Sequence, residues 1–291
     1  MSDQKTAVIT GAAMGMGAMK ARKLADRGWQ VFAGVLPGTD TSELGDNPNI
    51  VKVKQDVTSE KSVTASAKTV AKQIGDRGLD LLINNAGIAN IGTGPIEGIH
   101  IEETRKLFEV NTFGMLRVTQ AFLPMIRKAA PKSRIINFAS GAVRANPVCS
   151  GSYNMSKWAV EGLTCTLRNE LAPFGIEVTS IEPGAVKTHM TANAEETTKS
   201  IWSNMSDEVR AVYEPHLLET TTTKMVEQIN AGNDPDYVTD GVLALLEKSN
   251  WKPRYLIGQD VKAMKPMVAL LSERAVESML QKAVGISKYK G

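Results

Sequence analysis

The chain has 291 residues, 42% of them hydrophobic and 22% charged, enough to bury a full core as one elaborated domain. Its formal charge of +3 is too small to argue for nucleic acid, and leaves room only for a small anion site. Two cysteines, Cys149 and Cys165, suit reduced thiols; with no export signal and no run of ~18 apolar residues, a cytoplasmic protein away from the membrane is expected.

Taken in chain order, apolar runs rich in β-branched residues at 6–10, 30–35, 50–54, 79–84, 133–139 and 176–181 predict buried parallel strands. Between them, 17–27, 59–74, 102–128 and 152–174 carry apolar residues at helical spacing; Leu107, Val110, Val118, Phe122 and Met125 illustrate the third. This alternation predicts an α/β fold, a doubly wound parallel sheet (Rossmann fold) with helices on both faces.

Beyond Thr188 the alternation breaks. Residues 191–233 are polar and Thr-rich with helical patches such as 207–218, and are expected to form a helical cap for the substrate. Trp202, Met205 and Tyr213 either make an apolar lid or pack that cap onto the core. A helix at 236–247 and a last strand at 253–258 follow. The tail, 264–291, carries a stripe of Leu270, Leu271, Val276, Met279 and Leu280 that suits a terminal helix on the body or on a neighbouring subunit. No repeat or linker divides 1–291, so a single domain is expected.

The first strand turns into the first helix through Gly11, Gly15, Met16 and Gly17. Bare glycine backbone lets a pyrophosphate approach, and free N–H groups with the helix dipole stabilise its charge. Asp56-Val57 and Asn85-Ala86-Gly87 follow the third and fourth strands, beside the crevice where such sheets bind ligands. Asp56 either accepts from an adenine amine or caps the next helix, although Thr58 and Ser59 are better placed as caps.

The second strand ends at Val35-Leu36, with no arginine to hold a 2′-phosphate and no carboxylate nearer than Asp40; Met14 is neutral too. A dianionic phosphate would lack a counter-charge there, so NAD is preferred over NADP.

Tyr153 and Lys157 are spaced to share one face of a helix, thirteen residues after Ser140. An ammonium beside a phenol favours the ionised phenol and equips it for acid/base work. Ser140, just past a strand, can act as an oxyanion-site donor.

Thr-Gly-x-x-x-Gly-x-Gly at 10–17, Asn-Asn-Ala-Gly at 84–87, Asn111, Ser140, Tyr153, Lys157 and Pro183-Gly184 with Thr188 together resemble the short-chain dehydrogenase/reductase family, over roughly residues 5–190. Short strings at 31–35 and 253–258 look like its steroid and retinol dehydrogenase-like branch. Met16 stands where that family commonly has isoleucine or leucine.

The resemblance implies hydride transfer between a nicotinamide cofactor and a hydrophobic alcohol or ketone, with Tyr153 exchanging the proton. It implies that Lys157 also bonds the nicotinamide ribose, and that Asn111 holds a water linking Lys157 to solvent; alternatively Asn111 merely kinks its helix. Pro183, Gly184, Val186 and Thr188 are implied to bind the carboxamide or a phosphate, and a homodimer or homotetramer is implied through the helices at 102–128 and 152–174.

A sugar-nucleotide epimerase or dehydratase would carry Gly-x-x-Gly-x-x-Gly instead. A non-catalytic dinucleotide sensor would typically lack the tyrosine. No Gly-x-Ser-x-Gly elbow surrounds Ser140, and His100, His189 and His216 are too scattered for a metal site.

Overall fold

The computed structural model describes residues 4–89, 93–188 and 193–283. His189, the first two residues of the expected cap and the end of the tail lie outside the described residues.

In chain order the main elements are β1 (Thr6–Ile9), α1 (Gly15–Asp26), β2 (Gln30–Val35), β3 (Ile50–Lys54), α2 (Glu60–Ile74), β4 (Leu81–Asn84), α3 (Ile101–Phe108), α4 (Gly114–Lys128), β5 (Arg134–Phe138), α5 (Ala142–Ala145), α6 (Gly151–Leu171) and β6 (Glu177–Pro183). They continue with α7 (Ala194–Ser203), α8 (Asp207–Tyr213), α9 (Glu219–Asn230), α10 (Pro235–Leu243), β7 (Arg254–Ile257), α11 (Gln259–Leu270) and α12 (Glu273–Ala283).

The seven strands pair in the order β3-β2-β1-β4-β5-β6-β7, all parallel. The order reverses between β1 and β4, where Val8 pairs Leu82 and Ile9 pairs Ile83. A crevice at the carboxyl ends of these two strands is where a doubly wound sheet takes its ligand.

Successive strand residues face opposite layers, so each strand feeds two cores. Ile9, Ile136 and Ile181 pack with Ala21, Leu24, Val238 and Val242 of α1 and α10. On the other face Val8, Leu82 and Ile135 pack with Val70, Phe122 and Leu167 of α2, α4 and α6. The central strands β1, β2, β4 and β5 are buried on both faces and read as mostly apolar, whereas the edge strand β3, with Lys52 and Lys54 exposed, is not.

Two stretches differ from the sequence expectation, the helix over 102–128 and the tail, while 193–233 is helical as expected. The helix expected over 102–128 is interrupted by a π turn, Glu109–Phe113, with Asn111 inside it. The segment 193–233 forms α7, α8 and α9, with a second π turn, Glu214–Leu218, before α9. Ser206 starts α8 by accepting from the Val209 amide, which marks the break after α7. The tail forms two helices rather than one: α11 begins at Gln259, directly after β7, and ends before Ser272, whose hydroxyl accepts from the Ala275 amide. The apolar stripe runs on through Leu270 and Leu271 and hides that stop.

Candidate active site

The Gly-rich turn is pinned to the end of β4 by Thr10, whose hydroxyl accepts from the Asn85 amide at 2.9 Å and the Ala86 amide at 2.8 Å. The Asn85 side chain donates back to the Thr10 and Gly11 carbonyls at 2.9 and 3.1 Å. Gly17 lies so close beneath this turn that a Cβ there would collide with the Gly11 carbonyl and approach Asn85 Nδ2 to 2.9 Å. Gly15, with φ +56°, needs the left-handed conformation and has nothing within 4 Å of where a side chain would start. A tight turn with an open, bare-backbone face fits a dinucleotide pyrophosphate.

Val35 is buried and Leu36 exposed at the end of β2, and Met16 packs against the core of that layer. Asp40, the carboxylate nearest to β2, turns away to accept from the Ser42 amide and hydroxyl at 2.9 and 2.7 Å. Those bonds hold its pKa below the usual carboxylate value. Glu43, three residues on, is the one that reaches the turn: its Oε2 accepts from the Gly15 amide at 2.7 Å.

Asp56 Oδ1 accepts from the amide and hydroxyl of Thr58 at 2.9 and 2.7 Å, while Ser59 caps α2 by accepting from the Ser62 amide. Asp56 therefore shapes the loop and leaves capping to Ser59. Val57 is buried beside Gly114 at the start of α4.

Below the crevice a chain of buried amides and hydroxyls locks α4 and α6 to the sheet. Asn84 Nδ2 donates to Thr119 at 3.0 Å and to Asn137 at 2.9 Å, and Asn137 Nδ2 donates to Thr164 at 2.9 Å. Paired polar groups of this kind fix one arrangement, because each would be costly alone.

On that foundation Tyr153, Lys157, Ser140 and Asn111 meet. Lys157 Nζ donates to the Phe138 carbonyl at 3.0 Å and lies 5.7 Å from the centre of the Tyr153 ring. Ser140, two residues past β5, accepts from the Ala142 amide at 3.1 Å and faces the Tyr153 phenol closely enough to influence its pKa. The fully buried Asn111 accepts from the Ile88 amide at 2.8 Å and donates to the Ile88 carbonyl and Ser156 hydroxyl at 3.0 and 3.1 Å. Gly87 joins them: a Cβ there would stand 3.3 Å from Asn111 Oδ1 and 3.6 Å from Lys157 Nζ.

Burial raises the Tyr153 phenol above its ordinary pKa, and the facing Ser140 hydroxyl opposes that rise. Burial also lowers Lys157 to about 8. The expectation that Lys157 draws the phenol down by charge meets this difference because the ammonium turns toward β5, bonding Phe138 rather than the hydroxyl.

The segment after β6 is held from afar. The Gly184 amide donates to Ile257 at 3.0 Å, the Ala185 amide to Asp260 Oδ2 at 2.8 Å, and Val186 bridges to Asn233. Pro183 closes β6, and Thr188 lines a cavity of about 490 Å³ with Gly15, Met19, Glu43, Val226 and Asn230. Arg144 in α5 clamps the Ser140 loop to β6 through Glu182, with its Nε 2.8 Å from Glu182 Oε2. Glu43, Arg144, Asn233 and Asp260 escape the sequence reading, because each acts on a backbone or side chain far along the chain and belongs to no local motif.

The family model for short chain dehydrogenase matches residues 5–199. The chain belongs to the short-chain dehydrogenase family. It is 32% identical to mouse retinol dehydrogenase 7 and 33% identical to mouse 17-beta-hydroxysteroid dehydrogenase type 6, in each case over 95% of this chain and 87% of the relative. Among solved structures it resembles a short-chain dehydrogenase from Burkholderia cenocepacia in complex with NADP, with TM-score 0.71 and 26% identity over 99% of this chain and 100% of that one.

As a short-chain dehydrogenase the protein is an oxidoreductase acting on CH–OH groups with a nicotinamide dinucleotide. Among the described residues no group of three or more His, Cys, Asp or Glu is placed to hold a metal. No helix among them is long and apolar enough to cross a membrane.

Proposed function

We propose that this short-chain dehydrogenase interconverts a hydrophobic, steroid- or retinol-like alcohol and its carbonyl form, preferring NAD, with Tyr153 as the proton-exchanging group. The observation that carries the reading is the convergence of Tyr153, Ser140, Lys157 and Asn111 beside Gly87 at the carboxyl ends of β4 and β5. The names of the curated relatives support the substrate class.

Gly11, Gly15, Met16 and Gly17 would hold the pyrophosphate. Val35, Leu36, Asp56, Val57, Asn85, Ala86 and Gly87 would line the adenosine side, and Pro183, Gly184, Val186 and Thr188 the nicotinamide side. The bound nicotinamide supplies the hydride acceptor or donor.

The chain's own residues then handle the proton. Ser140, facing Tyr153, presents a hydroxyl to the substrate oxygen, and Tyr153 gives or takes that oxygen's proton. A phenol kept protonated by burial is ready for the reductive direction. In the oxidative direction it must first ionise, which the Lys157 ammonium and an oxidised, positively charged ring both favour. Lys157 and Asn111, meeting at Gly87, begin a proton route toward solvent.

Support for NAD lies in the missing cation after β2 and in the Glu43 carboxylate at Gly15. The NADP bound by the Burkholderia protein supports the other coenzyme. Exposed Phe113, Met155 and Trp158 on and beside α4 and α6 support a homodimer face, which light scattering at micromolar concentration tests. We place the enzyme in the cytoplasm and read α7 to α9 as the substrate cap.

The deciding experiment follows reduced-nicotinamide absorbance across secondary alcohols and ketones with both coenzymes, for the wild type and Tyr153→Phe. The variant is expected to bind coenzyme and lose nearly all turnover; unchanged turnover removes Tyr153 from the mechanism.

A further inference from the structure

The seam between α7 and α9 holds buried polar atoms for which the rest of the fold offers no explanation. Ala194, Thr198 and Trp202 recur every fourth residue of α7 and are 2%, 2% and 1% exposed, so they form its inner face. On α9, which packs against α7, Thr222 is buried too. Thr198 Oγ1, Thr222 Oγ1 and Trp202 Nε1 all lack a hydrogen-bond partner. Native proteins satisfy nearly all such groups, and three together on one seam imply a missing partner.

The seam runs from the cavity beside the Gly-rich turn to the Gly94–Cys149 segment that precedes Tyr153. At one end, Ala194 of α7 and Val226 and Asn230 of α9 line the cavity that also contains Gly15 and Thr188. At the other, Trp202 and Met205 pack on Cys149, and Trp202 Nε1 lies 3.5 Å from where a Cβ on Gly94 would stand. The Gly94 amide donates to the Cys149 carbonyl at 2.8 Å. Cys149 is four residues before Tyr153 and sits at φ +61°, an uncommon backbone state for a residue with a side chain.

Resting on the proposed function, we infer that Thr198, Trp202 and Thr222 bind a second, neutral oxygen of the substrate, a hydroxyl or carbonyl remote from the reacting carbon. The indole N–H can only donate, and the two hydroxyls can donate or accept, so the trio suits an uncharged oxygen at the end of an apolar body. Met205 and the neighbouring apolar residues suit that body. The trio would therefore set which substrates are used, with no part in the chemistry.

The test compares the wild type with Trp202→Phe, Thr198→Val and Thr222→Val. The probes are a steroid diol with one hydroxyl at each end of its ring system and the two monohydroxy steroids lacking one or the other, each with NAD and NADP. The wild type is expected to prefer the diol over the reactive monohydroxy steroid by at least about tenfold in kcat/KM. Each variant should lose most of that preference while changing the monohydroxy reaction by less than about twofold. A variant that lowers both reactions equally, or a wild type indifferent to the second hydroxyl, overturns the inference.

A readout apart from turnover is the melting temperature without substrate. Removing a buried hydroxyl that has no partner should leave it unchanged or raise it, whereas a drop in both threonine variants would mean that the fold itself satisfies them, and would overturn the inference. If the wild type oxidises simple secondary alcohols but not the diol, this inference fails and the proposed function stands. If it oxidises no alcohol and reduces no ketone, the proposed function fails and takes the inference with it.

Discussion

The Gly15 amide, in the open part of the Gly-rich turn, is already engaged by the carboxylate of Glu43 at 2.7 Å. Asp40, nearer in sequence to the end of β2, faces Ser42 instead. The negative charge that meets the dinucleotide turn therefore comes from the short 3-10 turn Ser42–Leu44. If the adenosine ribose lies beside this turn, as proposed, a carboxylate there would repel an added phosphate while still accepting from ribose hydroxyls.

Glu43→Gln keeps an acceptor for the Gly15 amide and removes the charge. The ratio of kcat/KM with NAD to that with NADP is expected to fall about tenfold, equivalent to ~1.4 kcal/mol. Steady-state kinetics with both coenzymes check it, and an unchanged ratio would show that Glu43 serves the turn alone.

Ser140 faces the Tyr153 phenol, opposing the rise of its pKa, and caps its own loop by accepting from the Ala142 amide. If it is the oxyanion-site donor, Ser140→Ala should lower kcat by about 10²- to 10³-fold. The cost in folding stability should be only about 1 kcal/mol, read from urea unfolding. A large stability loss with modest loss of kcat would reverse those roles.

Asn111 makes three hydrogen bonds, two of them to the backbone of Ile88, from inside the π turn Glu109–Phe113. Asn111→Ala leaves an amide and a carbonyl of Ile88 without that partner, and about 2–4 kcal/mol of stability should be lost. Because Asn111 and Lys157 also meet at Gly87, kcat measured where the variant is fully folded should fall as well. Full kcat in the folded variant would leave Asn111 as a brace for the loop after β4.

Much of this arrangement is written in local sequence, and some of it is not. The strands at 30–35 and 50–54 match to the residue: β2 is a nearly continuous buried apolar run that stops before Leu36-Pro37, and β3 is a short β-branched run that stops before Gln55-Asp56. Tyr153 and Lys157 were legible as a pair because four-residue spacing and a helix are local properties. The π turn at Asn111 was not: its hydrogen-bond pattern answers to Ile88, twenty-three residues earlier. Nor was the grip of Asp260 on Ala185, which spans seventy-five residues. Spacing predicts which residues share a face and says nothing about which distant backbone claims them.

Lys20 shows the same limit with an energetic consequence. Gly17, Lys20, Ala21 and Leu24 form the inner face of α1, so a residue that reads as surface charge is fully buried. Its Nζ has no hydrogen-bond partner and lies 4.3 Å from the centre of the Phe138 ring. Burial lowers its pKa from 10.5 to about 7. Folding therefore expels a proton wherever the pH lies between those values, and the unfolded chain binds more protons there. Stability should rise with pH across that window, with the burial cost fully present below pH 7 and gone above 10.5. Lys20→Met keeps the volume and removes the amine. It should stabilise the protein by on the order of 2–4 kcal/mol at pH 7, with the gain shrinking toward pH 10. Lys157 titrates in part of the same range in both proteins, so the difference between their urea-unfolding curves at matched pH isolates Lys20. A gain that is flat with pH would mean that the amine stays charged against Phe138 throughout.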